Sequence, residues 1–232
     1  MRTLCVKSIN HAIKGGIEIN IQNINFNEGK LYMILGENGS GKTTFLRSLL
    51  GLNGYQNVTW NGKIICEMNQ QQRSNILAMC PQNPPITYSF TGETFLKSAQ
   101  YGYRKNKEHT DEIHRTFSLN TLMEKSMCDM SGGERKRLFL ARTFLRHSNV
   151  LIFDEPLENL DIHFQRIFFR EVKKTLAQGK TIIFTNHNFL WIDNFSANII
   201  VIENGTCVKS GHLHDHDTKT FVYEYFGLPK KK

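Results

Sequence analysis

Apolar side chains recur along the chain with two different periods, which predict alternating strands and helices. In residues 17–25 isoleucines alternate with polar neighbours, and this period of two is typical of an antiparallel strand with one face in solvent. Residues 31–35 and 150–153 are continuous apolar runs, which indicate strands buried on both faces of a sheet. In residues 162–178 apolar side chains repeat every three to five positions, which predicts an amphipathic helix packed on the core.

The rest of the pattern extends this alternation over most of the chain. The other predicted elements are a strand at 3–7, a hairpin at 58–65, strands at 76–80, 181–184 and 199–203, and helices at 44–50, 133–146 and 220–227. Residues 83–130 differ, because they hold no strong strand pattern and three charged helical patterns, at 93–103, 108–117 and 122–125. We interpret 83–130 as a mostly helical subdomain inserted into an α/β fold.

A glycine-rich stretch connects the apolar run 31–35 to the helix predicted over 44–50. Its glycines let the backbone curl tightly, so that N–H groups can point inward at a phosphate chain. This order of strand, loop and helix is that of a phosphate-binding P-loop. Lys42 would reach the β- and γ-phosphates, and the Thr43 hydroxyl would ligate Mg²⁺. The predicted nucleotide-binding residues are Gly36, Glu37, Asn38, Gly39, Ser40, Gly41, Lys42, Thr43 and Thr44.

The strand predicted over 150–153 ends in two carboxylates, Asp154 and Glu155. A buried strand that ends in this way beside a P-loop is typical of nucleotide hydrolases. We predict that Asp154 holds the magnesium shell. Glu155, one residue further on and aimed differently, would polarise the attacking water as a general base.

Composition narrows the class of protein and its partners. The 232 residues, 40% hydrophobic and 22% charged, suffice for one large α/β domain or a core with an inserted subdomain. No stretch approaches the roughly 18 apolar residues that span a bilayer, and no signal peptide is expected. The formal charge of +8 comes largely from 230–232 and helical clusters such as 135–137, without interleaved aromatics, so no nucleic-acid partner is expected. Five scattered cysteines indicate reduced thiols.

Residues 130–134 read Met-Ser-Gly-Gly-Glu. They resemble the signature motif of ATP-binding cassette (ABC) proteins, usually Leu-Ser-Gly-Gly-Gln or Leu-Ser-Gly-Gly-Glu, with Met130 in the place of leucine. A serine hydroxyl and glycine N–H groups at a helix N-terminus suit a γ-phosphate. The resemblance implies that two cassettes close head to tail, and that Ser131, Gly132 and Gly133 of each complete the ATP site of the other.

Three further motifs follow the order of the family, and one position departs from it. Gln82 resembles the Q-loop glutamine that senses magnesium and water, and residues 158–161 resemble the D-loop, with Asp161 in the matching place. His187 resembles the switch histidine, which would contact the γ-phosphate. The position of the usual adenine-stacking aromatic falls near Ile13, which predicts weaker stacking and leaves the preference for ATP over GTP open.

The resemblance implies an α/β fold of the P-loop NTPase, ABC cassette type. Such a cassette has a mixed or parallel core sheet, an antiparallel β subdomain and an inserted helical subdomain. In this chain 1–82 and 131–211 would form the ATP-binding core, 83–130 the helical signature subdomain, and 212–232 a C-terminal tail with a short helix.

The resemblance further implies the ATP-hydrolysing subunit of an ABC transporter, which uses ATP and Mg²⁺. Two identical chains would act as a head-to-tail dimer in the cytoplasm, on the inner face of the cell membrane. Polytopic permease subunits would bind near Gln82 and residues 83–100. Features such as Pro84-Pro85 resemble importers of iron chelates, haem or cobalamin. A small exporter ATPase and a soluble, non-transport ABC ATPase remain alternatives, whereas Glu155 and His187 argue against a non-hydrolysing regulatory cassette.

Three histidines alternate with other residues near the C-terminus, at His212, His214 and His216. In an extended chain their imidazoles would share one face and could bind a divalent metal. A solvated polar segment is the alternative interpretation.

Overall fold

The computed structural model describes residues 2–12, 18–52, 57–82, 90–100, 106–186 and 195–228. In this part of the chain the strands are β1 (Thr3–Ala12), β2 (Glu18–Asn27), β3 (Leu31–Leu35), β4 (Val58–Trp60), β5 (Lys63–Ile64), β6 (Leu77–Cys80), β7 (Val150–Phe153), β8 (Thr181–Asn186), β9 (Asn198–Glu203) and β10 (Thr206–His212). The α-helices are α1 (Lys42–Leu49), α2 (Gln70–Ile76), α3 (Gly92–Lys97), α4 (Lys107–Thr116), α5 (Gly132–Phe144), α6 (Ile162–Ala177) and α7 (His216–Tyr225). Short 3-10 helices lie at Ile65–Glu67, Ser98–Gln100, Asn120–Leu122 and Met127–Asp129.

The strands form one mixed sheet in the order β5-β4-β1-β2-β10-β9-β3-β8-β7-β6. From β9 to β6 the neighbouring strands are parallel, whereas β1, β2, β4 and β5 pair antiparallel. Strand β10 joins the two parts, because it is antiparallel to β9 and parallel to β2. The predicted combination of a parallel core sheet with an antiparallel β part is confirmed.

Burial along the strands explains the two apolar patterns. Every residue of β3, β7 and β8 is buried, because helices cover both faces of the parallel part. In β2 buried and exposed positions largely alternate, so one face meets solvent. The continuous and the alternating apolar runs therefore mark the two halves of the sheet.

The core lies on both faces of the parallel strands. On one face, aromatic rings from α5, α6 and the sheet interlock: the Phe144 and Phe153 centroids are 5.0 Å apart, and those of Phe153 and Phe168 are 5.2 Å apart. On the other face α1 buries Phe45 and Leu49 completely. Burial of each such side chain contributes about 1.5–3 kcal/mol. The parallel strands that carry Asp154 and the P-loop are thus held rigidly from both sides.

Some predicted elements are wrong or were missed. The helix predicted over 122–125 does not form; the 3-10 helix Asn120–Leu122 is followed by bends. Its four residues offer too short a helical repeat to pay the cost of nucleation. The helix predicted over 93–103 ends at Lys97 and continues as the 3-10 helix Ser98–Gln100, while 101–103 lie outside the described residues.

The described residues of the interval 90–130 contribute helices and one isolated β-bridge, between Thr91 and Ser126, and no strand of the sheet. The boundaries of the helical subdomain remain a prediction. Among the described residues, no helix combines the length and the apolarity that a membrane span requires.

Candidate functional site

The P-loop lies where β3 ends and α1 begins, at the carboxyl edge of the parallel strands. A Cβ atom at Gly36 would collide with the carbonyl oxygen of Ile202 and with the Ser40 hydroxyl, so only glycine fits. Gly41 occupies the N-cap of α1 with φ of 104° in the left-handed region, and no side chain caps this helix. The cap residue therefore offers no side-chain acceptor to the first N–H groups of α1, which adjoin the loop.

Lys42 crosses the mouth of this loop. Its Nζ donates hydrogen bonds to the carbonyl oxygens of Gly36, at 2.9 Å, and Glu37, at 2.8 Å. The same Nζ lies 3.8 Å from Glu155 Oε1, and both side chains are more than nine-tenths buried. Burial lowers the pKa of Lys42, while the carboxylates of Glu155 and Asp154 act in the opposite direction. The ammonium thus connects the P-loop to the end of β7.

Asp154 is 1% exposed, and its two carboxylate oxygens differ. Oδ1 accepts a hydrogen bond of 2.9 Å from the Thr185 hydroxyl, whereas Oδ2 is buried with no hydrogen-bond partner among the described residues. A buried carboxylate oxygen without a donor is costly unless a cation or another donor meets it. The donor set of Asp154 therefore fits Mg²⁺, which prefers carboxylate, hydroxyl and water oxygens.

Glu155 is aimed differently from Asp154 because its backbone leaves the strand conformation. Its φ of 45° lies in the left-handed region, just before Pro156. Two hydrogen bonds hold this residue: its N–H donates to the Thr185 hydroxyl at 2.7 Å, and its carbonyl accepts from Lys136 Nζ at 2.8 Å. A strained residue persists only where its surroundings hold it in place, and such residues cluster at active sites.

Lys136 and Thr185 are site residues that sequence reasoning missed. The sequence identified 135–137 only as a helical source of positive charge, but Lys136 is only 6% exposed and donates to the Glu155 carbonyl. Thr185 is fully buried in β8. No sequence pattern distinguishes a lysine that binds a distant carbonyl from a surface lysine. The signal for Thr185 was weak: a polar residue at the end of an apolar strand, next to Asn186 and His187.

Gln82 lies on the same edge of the sheet, just beyond β6. Its Nε2 donates a hydrogen bond of 3.0 Å to Glu158 Oε2, in the segment that resembles the D-loop. At the end of that segment Asp161 caps α6 by accepting from Phe164 N at 2.9 Å. Gln82 is thus bonded directly to the segment that resembles the D-loop.

Ser131 forms the N-cap of α5. Its hydroxyl accepts from Glu134 N at 3.2 Å, and Glu134 Oε2 accepts from Ser131 N at 2.7 Å, which completes a capping box. The hydrogen bond from Lys125, more than any other interaction, lowers the pKa of Glu134 to about 2. Ser131 and Gly132 are exposed, and no described hydrogen bond joins Ser131 to the P-loop of its own chain.

Other predicted site residues are placed as follows. Thr43 and Thr44 are half-buried in the first turn of α1, and Ser40 Oγ is buried without a partner among the described residues. His187 and Ile13 lie outside the described residues. In the described part of the chain, no three histidine, cysteine, aspartate or glutamate side chains lie together as a metal site. His212 instead closes β10, where Nε2 lies 3.0 Å from the Ser196 hydroxyl and Nδ1 accepts from His214 N, so the metal interpretation is not supported.

A family model described as ABC transporter matches residues 19–158. The chain belongs to the ABC transporter family. The chain is 27% identical to the sn-glycerol-3-phosphate import ATP-binding protein UgpC 2 of Agrobacterium fabrum, over 89% of this chain and 57% of that protein. It is 30% identical to the Nod factor export ATP-binding protein I of a Rhizobium species, over 80% of this chain and 63% of that protein. It therefore spans less than two thirds of these ABC relatives.

A solved dimeric ATP-binding cassette, in a post-hydrolysis state with ADP and Pi, has the same fold. It superimposes with a TM-score of 0.75 at 19% identity, over 92% of this chain and 99% of the other. The predicted ABC cassette fold and the resemblance to the family are confirmed.

Proposed function

We propose that this chain is the ATP-binding and ATP-hydrolysing subunit of an ABC transporter. The observation that carries the proposal is the convergence of Lys42, Asp154 and Glu155 at one edge of the parallel sheet. There a buried ammonium, a carboxylate oxygen that has no hydrogen-bond partner in the described part of the chain, and a strained glutamate meet beside a glycine loop. This combination supplies what phosphoryl transfer to water requires: a phosphate cradle, a cation site and a base.

The P-loop binds the triphosphate. Backbone N–H groups at the start of α1 face the phosphates, and the Lys42 ammonium exchanges the Gly36 and Glu37 carbonyl oxygens for phosphate oxygens. Thr43, Asp154 and Gln82 would hold Mg²⁺, which supplies Lewis-acid neutralisation of phosphate charge when bound. Thr185 holds Asp154 Oδ1 by a hydrogen bond, so Oδ2 would be the oxygen that meets the cation.

Glu155 acts as the general base. Its left-handed backbone separates its carboxylate from that of Asp154, so that one acid serves the cation and the other serves water. His187 contacts the γ-phosphate in this proposal, and Ile13 packs on the base of the nucleotide.

The γ-phosphate is shared between two chains. Exposure of Ser131 and Gly132, together with the absence of a described hydrogen bond from Ser131 to its own P-loop, supports the idea that the signature serves a second copy. ATP binding closes the head-to-tail dimer, and hydrolysis reopens it because the shared phosphate is lost.

The dimer acts on polytopic permease subunits through the region of Gln82 and 83–100. Relatives include an import and an export protein, so the family leaves both directions open. Iron chelate, haem or cobalamin uptake has only the sequence resemblance in its support. A soluble, non-transport ABC ATPase is the second candidate.

Phosphate release by the purified chain tests the enzymatic proposal. We expect steady turnover of ATP that requires Mg²⁺ and stops when EDTA is added. Pull-down from detergent-solubilised membranes then separates the two candidates: a polytopic membrane protein supports the transporter, and recovery of RNA or DNA alone supports the second candidate. A chain that binds ATP with Mg²⁺ and releases no phosphate, alone or with the permease, contradicts the proposal.

A further inference from the structure

A second cleft lies at the edge of the sheet opposite to the nucleotide site. Asp154 follows the carboxyl end of β7, whereas the cleft is lined by residues next to the amino ends, including Lys180 just before β8 and His147 shortly before β7. The four residues of β7 separate the two edges by roughly 13 Å at 3.3 Å per residue. The cleft has a volume of about 780 Å³. It is therefore a separate site, in the size range of small-molecule pockets.

Basic side chains from three parts of the fold converge on this cleft. Arg115 comes from α4, Arg146 and His147 follow α5, and Lys180 follows α6. Lys180 Nζ donates to the Arg146 carbonyl at 2.8 Å, which ties the last two parts together. The cleft is thus lined both by α4, from the interval 83–130, and by residues next to the core sheet.

Two carboxylates offset part of this positive charge. Glu108 and Glu112 also line the cleft, but Glu112 already accepts a hydrogen bond from Lys174. Neither Arg115 nor Lys180 forms an ion pair with a carboxylate among the described residues. The cleft therefore concentrates positive charge where solvent can enter.

The same charges act on the pKa of His147. Burial lowers its pKa, and the neighbouring Lys180, His109 and Arg146 lower it further. Burial also lowers the pKa of Lys180. Cations that repel one another in this way are a favourable environment for an anion.

We propose that this cleft binds a phosphate-bearing anion, which bridges α4 to the core. A guanidinium group such as that of Arg115 matches phosphate oxygens with two parallel hydrogen bonds. Lys180 adds a point charge, and Arg146, whose Nη1 donates to the Ala99 carbonyl at 2.9 Å, adds further positive charge. A carboxylate would use fewer of these donors than a phosphate does. The proposal goes beyond ATP hydrolysis and does not depend on it, because the site lies at the other end of the strands.

Inorganic phosphate is the probe, and the nuclear magnetic resonance signal of the His147 ring is the readout. The titration uses the Lys42→Ala chain, so that the P-loop does not contribute, and sodium chloride keeps the ionic strength constant. Comparison with His147→Gln assigns the signal. We expect saturable shifts and a rise in the pKa of His147 on binding, since phosphate opposes the effect of Lys180, His109 and Arg146.

Substitutions of basic residues decide whether phosphate binds in the cleft itself. Arg115→Gln, at an exposed position, and Lys180→Gln should each weaken phosphate binding about tenfold or more, the worth of one charge-assisted hydrogen bond. Arg166→Gln removes an exposed arginine outside the cleft and should change nothing. Vesicles of phosphatidylglycerol, added in place of phosphate, show whether the natural source is a lipid headgroup or a soluble phosphate. An unchanged His147 signal, or equal weakening by Arg166→Gln, overturns the proposal.

Discussion

One hydroxyl organises both carboxylates of the site. Thr185 Oγ1 donates to Asp154 Oδ1 and accepts from Glu155 N, so Thr185→Val removes two buried hydrogen bonds while keeping the shape of the side chain. Each group left unsatisfied costs about 1–3 kcal/mol. We expect a lower melting temperature and a turnover reduced about tenfold or more, because both carboxylates lose their orientation. Thr185→Ser, which keeps the hydroxyl, should restore both; equal loss in Ser and Val variants contradicts this role.

The second prediction concerns Glu155 itself. Glu155→Gln keeps the size of the side chain and removes the basic carboxylate, so turnover should fall by about 10²–10⁴. ATP should still bind, since Lys42 and the P-loop are unchanged. Phosphate release and equilibrium binding of a fluorescent ATP analogue measure the two effects. A variant that turns over at the wild-type rate removes Glu155 as the base.

The third prediction tests Lys136 as a positioning residue. Lys136→Met fills a similar volume but withdraws the donor from the Glu155 carbonyl, which frees the strained backbone of the base. We expect kcat to fall while the Kd for ATP stays unchanged, a split that general loss of stability does not produce. Arg135→Met, at the adjacent position on α5, is the matched control. Wild-type kcat in Lys136→Met contradicts the role.

Among single residues, the sequence was sufficient to predict the site residues that belong to local motifs. Lys42 and Thr43 follow a glycine pattern, and Asp154 follows an apolar run, so each was recognisable from its own neighbours in sequence. Lys136 and Thr185 act across 19 and 30 residues of the chain, and such contacts depend on how α5 and β8 pack. No local pattern encodes that packing.

Among the elements, those with a strong apolar period were predictable and those without one were not. Strand β7 was predicted at its observed bounds because all of its residues are buried. Helix α2 was missed because its capping box from Asn69 and Gln72, rather than an apolar stripe, defines it, and only Ile76 is buried. Strand β10 was missed because no residue of it is fully buried; its pairing with β9 forms it.

The fourth prediction concerns the N-terminus of α5. Ser131→Ala removes the capping hydrogen bond, which costs about 0.5–2 kcal/mol, and should also impair ATP-induced dimer closure while sparing ATP binding to the monomer. Asn69→Ala removes the cap of α2, which has the same capping box, and should cost similar stability without affecting closure. Light scattering with ATP, in Glu155→Gln chains, measures dimers. A normal dimer from Ser131→Ala counts against the shared site.

For the whole molecule, the order of the sheet places the site. Strand β3 carries the P-loop between β8 and β9, and β7 with Asp154 lies on the far side of β8. Strand β3 is more than 100 residues away from β7, β8 and β9 in sequence, and no periodicity reveals the order of these strands. The resemblance to the family supplied the predicted architecture, because its motifs occur in the right sequence along the chain.

The fifth prediction tests the composite site with two defective chains of 26.8 kDa each. Lys42→Ala lacks the phosphate ammonium, and Ser131→Arg blocks the signature; each alone should be inactive, because both pockets of its homodimer contain the defect. Mixed in equal amounts, they form heterodimers with one pocket that carries both defects and one that carries neither. If the pockets act independently, the mixture recovers about a quarter of the wild-type turnover, since half the dimers have one sound pocket.

The matched control mixes a chain that carries both Lys42→Ala and Ser131→Arg with a chain that carries only Glu155→Gln. In a head-to-tail heterodimer of these chains, one pocket lacks Lys42 and the other combines an intact P-loop with the blocked serine and no base, so no turnover should return. A mixture of Lys42→Ala and Ser131→Arg that stays inactive, although the chains associate, would mean that Ser131 does not serve the ATP of the other chain. Recovery that appears only in the first mixture requires that each pocket draws Lys42 from one chain and Ser131 from its partner.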